Sequence, residues 1–372
     1  MRVAIDASQF ARTVATVARS VPGRTTMPVL TGMLLEAEAG SLRLTATDLE
    51  LTSRAEIPAE VQEPGRVVVP ARLLTEIVRR IPSPRVELYS DPERADALLR
   101  WDRSEFRLHG FGADQFPEPP SPPQGATYTA FQKGGLRDTL RHTAFAAAAE
   151  AGGRPILTGV ELTVLEGDYR AVATDGMRVA YFRTSERSDW AQGLAITLPS
   201  RGVDEIVRTI EAADGDGEFC AHDSHFFVRA GGVEVAVRVL EGRFPAILDL
   251  VPKQFPTSVR VDAGELRDAG ERVALVTDAP DRLHAITLVV TTSGVEVRAR
   301  SPEVGEAHES VAGSCEGPDV EFAVNARMLL EGLRHIGDGE VNMEFSGPQS
   351  LARIRRLDDV KLQYMQMPLR IG

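Results

Sequence analysis

Apolar residues recur along the chain with two different periods. Phe10, Val14 and Val17 are spaced four and three residues apart, which places them on one face of a helix. Six helices are drawn from such patterns, over residues 7–20, 71–81, 133–149, 200–211, 262–272 and 326–336. Elsewhere apolar and polar positions alternate, as they do from Val233 to Val239, which is typical of strands in antiparallel sheets. The pattern therefore predicts an α+β chain rather than a doubly wound one.

The same short segments occur more than once, and in the same order. Residues 28–32 read PVLTG and residues 155–159 read PILTG, and each is followed by ATD, at 46–48 and at 173–175. The number of residues between the two copies is the same for both motifs. A weaker third copy is indicated by the NAR segment at 325–327. Repeats of this kind indicate one domain plan used three times.

Proline-rich segments separate these copies. Residues 117–123 read PEPPSPP, which cannot belong to a helix or to a central strand, and residues 252–256 read PKQFP. The predicted domains are 1–123, 124–254 and 255–372, each with two helices and several strands.

The distribution of charge changes the interpretation of the composition. The chain has 372 residues and a net charge of −12, which by itself argues against binding to nucleic acid through bulk electrostatics. The six predicted helices, however, carry more basic than acidic residues, and the rest of the chain is strongly acidic. Basic helices on one surface could hold DNA there. The alternative is that these basic residues only form ordinary solvated helix faces.

Several other features favour a cytoplasmic protein. Cys220 and Cys315 are the only cysteines, which fits a reducing compartment better than a disulfide framework. The chain begins MRVAIDASQF, which lacks the pattern of a signal peptide, and no apolar run reaches the roughly 18 residues of a membrane span.

An enzyme is the main rival class. Asp48 and Asp175 sit in the repeated ATD motifs, and paired carboxylates could bind a metal or act in acid–base chemistry. The seven histidines are scattered, no GxGxxG motif follows a predicted strand, and an aspartate at the end of a strand is more readily a turn former. We therefore expect no catalytic residues, no metal and no cofactor.

Longer segments carry a family resemblance along nearly the whole chain. They are TATDLELTSRAEI (45–57), RVVVPARLLTEIVRRIP (66–82), RPILTGVEL (154–162), VATDGMRVA (172–180), EGRFPAILDLVP (241–252) and YMQMPLRIG (364–372). In their order and spacing they resemble the beta sliding clamps of bacterial DNA polymerase III.

The resemblance implies an architecture and a function. Three repeated clamp domains, with antiparallel sheets outside and two helices inside, would form a ring as a head-to-tail homodimer. The ring would encircle double-stranded DNA and act as a processivity factor without catalysis. Its implied partners are a clamp loader, DNA polymerases and repair factors that carry clamp-binding peptides. The alternative is a specialised spare clamp that tolerates an inhibitor and has altered partners.

The resemblance also implies DNA-contacting arginines. Arg24 and Arg72 match family positions that touch DNA, and Arg154 lies on the corresponding loop of the second domain. In a relative two tyrosines follow that arginine, whereas Pro155 and Ile156 stand here. Further lining residues are expected at Arg79, Arg137, Arg141 and Arg201.

A peptide-binding pocket is implied as well. Its expected residues are Leu157, Thr174, Gly176, Met177, Arg178, Val179, Pro245, Leu250, Met365, Met367, Pro368, Leu369 and Arg370. Methionine is flexible and polarizable, so a groove lined by it can accept several partners. Without the resemblance, Met365 and Met367 are more readily core residues of a final strand than pocket residues. A histidine is common in the family at the position of Met177.

The last implied site is the dimer interface, between the first domain of one subunit and the third domain of the other. Arg103 and Phe106 would face Leu275 and Val276, with an acidic region that holds Glu303 nearby. An apolar centre surrounded by charge pairs is ordinary interface anatomy.

Overall fold

The computed structural model describes residues 1–91, 94–150, 152–165, 167–187, 193–213, 216–277 and 284–370. Within them lie six α-helices, α1 (Ala7–Val17), α2 (Ala71–Val78), α3 (Lys133–Arg141), α4 (Ser200–Ala212), α5 (Ala263–Ala274) and α6 (Ala326–Ile336). Each lies where the apolar pattern predicts a helix. The antiparallel sheets and six helices of the predicted fold class are confirmed.

The described part of the chain also forms 25 strands. They are β1 (Arg2–Asp6), β2 (Gly32–Glu38), β3 (Ser41–Thr47), β4 (Leu51–Pro58), β5 (Glu60–Glu63), β6 (Gly65–Pro70), β7 (Arg85–Asp91), β8 (Asp96–Trp101), β9 (Ser104–His109), β10 (Thr129–Phe131), β11 (Gly159–Leu165), β12 (Asp168–Thr174), β13 (Arg178–Arg187), β14 (Ala195–Pro199), β15 (Gly217–His222), β16 (His225–Ala230), β17 (Val233–Arg238), β18 (Thr257–Asp262), β19 (Ala285–Thr291), β20 (Gly294–Ser301), β21 (Gly305–Glu316), β22 (Val320–Asn325), β23 (Glu340–Phe345), β24 (Ala352–Arg356) and β25 (Leu362–Gln366).

The chain divides into two structural units. Unit 1 comprises residues 1–137 and 204–239, and unit 2 comprises residues 138–203 and 240–372. Unit 1 holds a five-stranded sheet in the order β5-β1-β7-β8-β9 and an eight-stranded sheet in the order β10-β15-β16-β17-β4-β3-β2-β6. Unit 2 holds a twelve-stranded sheet in the order β14-β11-β12-β13-β25-β24-β23-β18-β21-β20-β19-β22.

The core of unit 1 lies between its helices and its sheets. Phe10, Val14 and Val17 are fully buried on one face of α1, as their spacing predicts, and Leu74 and Val78 are buried on α2. Each such side chain contributes roughly 1.5–3 kcal/mol when it is removed from water. The burial of these faces fixes both helices against the sheets.

In unit 2, α5 and α6 pack together against the large sheet. The Asn325 side chain caps α6 by accepting a hydrogen bond from the backbone N–H of Met328 at 3.1 Å. Tyr364 of β25 lies beneath this helix, fully buried, and its hydroxyl donates to the Met328 carbonyl at 2.7 Å. The strand and the helix are thereby locked in register.

One glycine of α6 makes this packing possible. A Cβ at Gly332 would lie 2.5 Å from Cε1 of the Tyr364 ring, which has no room to move. Gly332→Ala should therefore lower the free energy of unfolding by about 1–3 kcal/mol through overpacking, although alanine normally favours a helix. Chemical denaturation measures this effect. Gly270→Ala in α5 is the control, because its Cβ would meet only the end of the flexible Leu330 side chain; equal losses in both variants would contradict the prediction.

The helix predicted over 133–149 is wrong in its length. It ends at Arg141, and residues 144–146 form a separate 3-10 turn. The backbone beyond the helix is used for tertiary bonds instead: the Phe145 carbonyl accepts from Arg178, and the Ala148 N–H donates to the Leu157 carbonyl. These bonds compete with continuation of the helix.

Across the described residues, each helix falls short of the length and apolarity needed to cross a bilayer.

Candidate functional site

The second ATD motif forms a tight turn between β12 and β13. Asp175 accepts hydrogen bonds through Oδ1 from the backbone N–H groups of Met177 (2.9 Å) and Arg178 (3.0 Å). Thr174 accepts from the Gly176 N–H and donates to the Arg178 carbonyl. Gly176 has a φ of +92°, which glycine adopts without strain. The carboxylate is thus committed to building the turn.

The first ATD motif builds the same turn. Asp48 accepts through Oδ1 from the N–H groups of Glu50 (3.0 Å) and Leu51 (2.7 Å). The two repeated aspartates therefore act as turn formers. Within the described residues no group of three or more histidine, cysteine, aspartate or glutamate side chains is arranged to hold a metal ion.

The turn at Asp175 borders a cavity of about 540 Å³ in unit 2, a volume typical of ligand sites. Its wall comes from the segment before β11, from β12 and β13, from the segment after Phe244, from the loop between β23 and β24 and from the residue after β25. The lining residues are Arg154, Leu157, Thr174, Gly176, Met177, Arg178, Val179, Pro245, Ile247, Leu250, Pro252, Gln349, Ser350, Leu351 and Met367.

The cavity has a buried apolar floor and an exposed apolar rim. Leu157, Val179 and Leu351 are buried in one cluster beneath it. Leu250 is 75% exposed, and Met177 and Met367 are each 38% exposed. Large apolar side chains left open around a concave surface mark a binding site.

The two rim methionines are held next to each other by strand pairing. β13 and β25 pair antiparallel, with Val179 opposite Met365, and the Met367 N–H donates to the Met177 carbonyl at 2.8 Å. Since β25 belongs to the third repeat and β13 to the second, the cavity draws on both repeats.

Arg178 is a charged residue of the wall whose guanidinium is already engaged. It donates to Asp175 Oδ2 (2.9 Å), to Glu331 Oε2 of α6 (2.5 Å) and to the Phe145 carbonyl (2.8 Å). Burial lowers the pKa of Arg178, but Glu331 and Asp175 outweigh it and the net pKa is raised. Arg178 is therefore a fixed structural cation rather than a free ligand for a partner.

The structure brings together nine of the thirteen residues expected in the pocket. Met365 instead lies under the floor, buried in β25. Pro368, Leu369 and Arg370 do not line the cavity; the Leu369 N–H donates to the Ala323 carbonyl.

Besides Arg154, which was expected to contact DNA, five lining residues were not expected in the pocket, namely Ile247, Pro252, Gln349, Ser350 and Leu351. The first two lie in the segment EGRFPAILDLVP, whose apolar run beside Leu250 was a usable signal. The other three lie on the loop between β23 and β24, which only the tertiary fold brings here.

The arginines expected to contact DNA lie in both units. In unit 1, Arg24 is exposed on the segment after α1, Arg72 is exposed on the first turn of α2, and Arg79 is 3.6 Å from Glu76. Arg137 lies on α3 in the same unit. In unit 2, Arg141 ends α3, Arg201 is exposed on the first turn of α4, and Arg154 lines the cavity described above.

The residues expected at the dimer interface lie in both units, and most of them are exposed. In unit 1, β9 is an edge strand of the five-stranded sheet; it carries Phe106, 44% exposed and stacked on Trp101 at 5.0 Å, and it follows the exposed Arg103.

In unit 2, Leu275 caps the C-terminus of α5 and is 79% exposed, and Val276 follows it, partly buried. An ion pair between Arg272 and Glu309 (2.6 Å) ties this end of α5 to β21. Residues 305–312 of β21 pair only with β20 among the described strands, so one backbone edge is open there, beside the exposed Glu303.

Comparison with known proteins gives a consistent result. Three family models match successive parts of the chain: the N-terminal domain of the DNA polymerase III beta subunit at residues 1–120, its central domain at 131–246 and its C-terminal domain at 249–370. The chain is 31% identical to the beta sliding clamp of Synechococcus elongatus over 377 residues, with complete coverage of both chains.

Solved structures agree with this. The DNA polymerase sliding clamp of Bacillus subtilis superimposes with a TM-score of 0.93 at 24% identity, which shows the fold, and both chains are fully covered. A sliding clamp of Pseudomonas aeruginosa, solved bound to griselimycin, has a TM-score of 0.92 at 28% identity with the same coverage. The predicted organisation in three related domains is confirmed.

Proposed function

The chain belongs to the bacterial DNA polymerase III beta-subunit family of sliding clamps, and we propose on that premise that it is a processivity factor that closes into a ring around duplex DNA and tethers polymerases to it. The apolar cavity at Met177 and Met367 carries this proposal, because it gives the ring a place to hold its partners. The alternative, a spare clamp with altered partners, is not favoured by the comparisons.

The cavity suits short peptide segments with large apolar side chains. Leu250, Met177 and Met367 would close over such a side chain above the floor of Leu157 and Leu351. Methionines on the rim can repack around different shapes, so polymerases, repair factors and a clamp loader could use one site in turn. Griselimycin was found bound to the relative from Pseudomonas aeruginosa, and we propose that it binds this cavity and can serve as its probe.

DNA would be held by helix arginines through its phosphates. Phosphate contacts carry no sequence information, so they allow the ring to slide, whereas base contacts would fix it in place. No step of this function needs a catalytic residue or a cofactor. Replication of the chromosome would place the protein in the cytoplasm.

Removal of one phosphate contact should change the salt dependence of DNA binding. Arg24→Ala and Arg72→Ala should each weaken binding and lower the slope of log K against log salt by about one unit. Fluorescence anisotropy with a labelled duplex at several salt concentrations measures the slope. Arg43→Ala, on β3 and paired with Glu56, is the control. Slopes that match the unmodified protein would assign Arg24 and Arg72 to the solvated surface.

The ring would close through two identical head-to-tail contacts. The open edge of β9 in one subunit would meet the open edge of β21 in the other, so that both edges are covered. Phe106 and Leu275 would form the apolar centre of each contact, with Arg103 opposite Glu303 at the rim.

The proposed function is tested by retention on DNA after loading with the clamp loader of the same organism, at moderately high salt. A closed ring should stay on circular duplex DNA and slide off the ends of linear duplex. Equal loss from circular and linear DNA would contradict topological binding and would bring the altered-partner alternative forward.

A further inference from the structure

Two histidines lie behind the wall of the cavity, in a cluster of stacked rings. His335 of α6 stacks on Phe145 with the ring centres 3.9 Å apart and the planes 7° from parallel. His142, which follows α3, stacks on Phe182 of β13 at 5.1 Å and 8°. Both imidazoles are partly buried, and the buried Nδ1 of His142 makes no hydrogen bond with any described residue.

Phe145 connects this cluster to the cavity wall. Its carbonyl accepts a hydrogen bond from Arg178 at 2.8 Å, and the Arg178 guanidinium lies 5.6 Å from the centre of its ring. The ring of Phe145 also faces Tyr364 at 6.0 Å. A displacement of the Phe145 backbone would therefore remove one of the bonds that hold Arg178 on the wall.

The helix α6 gives a second connection to Arg178. Glu331, which pairs with Arg178, precedes His335 by four residues, so both side chains lie on the same face of the helix. A positive charge on His335 would compete with Arg178 for the Glu331 carboxylate. It would also add a cation close to a guanidinium that already faces Phe145.

Burial opposes protonation of both imidazoles, while the surrounding charges act in both directions. Burial lowers the pKa of His142 below its usual value; Arg141 acts in the same direction, against Asp138, Asp359 and a hydrogen bond to the His335 backbone. Burial likewise lowers the pKa of His335, with help from His142, Arg141 and Arg178 and against Glu331. Both groups are thus neutral at neutral pH.

We propose that neutral His335, through Phe145 and Glu331, and neutral His142, through Phe182 on the strand that carries Arg178, are positioning residues that hold Arg178 in the cavity wall. Protonation of the pair then loosens the site and weakens the binding of partners. The inference rests on the proposed peptide-binding function of the cavity. It makes the site sensitive to acid although no histidine lines it among the described residues.

The direction of the pH effect follows from the lowered pKa values of the two histidines. Above the ordinary histidine pKa of about 6.5 the imidazoles are neutral in all states and binding is independent of pH. Below this pH, the protein in which Arg178 has loosened takes up protons more readily than the protein whose cavity is occupied by a ligand. The affinity should therefore fall by up to about tenfold per pH unit for each proton taken up.

The first test is the affinity for griselimycin, measured by calorimetry from about pH 8 to about pH 5.5. The double variant His142→Phe, His335→Phe keeps flat rings for stacking and cannot be protonated, so its affinity should stay constant while that of the unmodified protein falls. His222→Gln, which changes an exposed histidine in unit 1, should behave like the unmodified protein. The same fall in all three proteins would overturn the proposal.

A second test needs no substitution. Because linkage is reciprocal, griselimycin should lower the pKa of His142 and His335 in the unmodified protein, and a nuclear magnetic resonance titration of the imidazoles measures this. A flat affinity profile with unchanged imidazole titration would overturn the role of the histidines while leaving the cavity as the binding site. An absence of griselimycin binding even at about pH 8 would instead contradict the proposed binding role of the cavity, and this inference with it.

Discussion

Leu250→Asp should weaken the binding of griselimycin, and of any partner peptide that uses the same cavity, by about a hundredfold or more. Leu250 is 75% exposed on the cavity rim in the free protein, so a ligand that covers it would have to bury an unpaired carboxylate against Met177 and Met367. The exposure also means that the substitution should leave the fold intact. Calorimetric titration measures the affinity.

The same turn offers a matched control. Leu248 lies in the same short 3-10 turn and is 41% exposed, but it does not line the cavity. Leu248→Asp should leave both affinity and melting temperature unchanged. An equal loss in both variants would mean that the turn, not the cavity, is what the ligand needs; no loss in either would place the ligand elsewhere. Deletion of residues 365–372 is a poorer test, because it removes part of β25 and with it the buried Met365.

Leu275→Asp should separate the proposed dimer into single chains and abolish the expected retention on circular DNA. Leu275 is 79% exposed at the end of α5, and a carboxylate there would face the apolar centre of the partner's edge in both contacts of the ring. Light scattering should then give a mass close to 40.4 kDa. Leu357→Asp, at an exposed position outside the proposed interface, should remain a dimer that is retained.

A head-to-tail arrangement also predicts how a mixture of two different interface variants should behave. Phe106→Asp should also give single chains. In a mixture of the two variants, the intact Leu275 of one can meet the intact Phe106 of the other, so one of the two contacts is restored. The mixture should form dimers that are open at the second contact and are therefore lost from circular DNA. A mixture that stays monomeric would argue against the pairing of these two residues.

The sequence predicts much of the fold because local pattern and burial agree in most elements. The face of α1 with Phe10, Val14 and Val17 is buried as its spacing predicts. The pattern fails at the end of α3, because the alanine-rich segment 144–148 has helical propensity, yet its backbone bonds to Arg178 and Leu157. Hydrogen bonds to residues far away in the sequence compete here with the hydrogen bonds of a helix, and the local sequence does not reveal them.

The residues that line the cavity likewise fall into those that the sequence predicts and those that it does not. Residues beside the ATD turn and the Phe244-Pro245 segment could be predicted from the family resemblance. Leu351 could not, because it follows β23 in a loop that reaches the cavity only through the order of strands in the sheet. Arg154 lines the cavity, which its sequence neighbours did not indicate, and its contact with DNA stays a prediction.

The position of β25 in the large sheet has a consequence for the order of folding during synthesis. β25 follows every other strand of that sheet in the chain, yet it lies between β13 and β24 rather than at an edge. The ribosome therefore releases β13 long before its neighbour exists, and the N–H and C=O groups along that side of β13 stay unpaired while the whole third repeat is being made. Exposed strand edges are the usual starting points of aggregation. A chain that ends before Leu362 should consequently be a better substrate for chaperones than the released full-length chain.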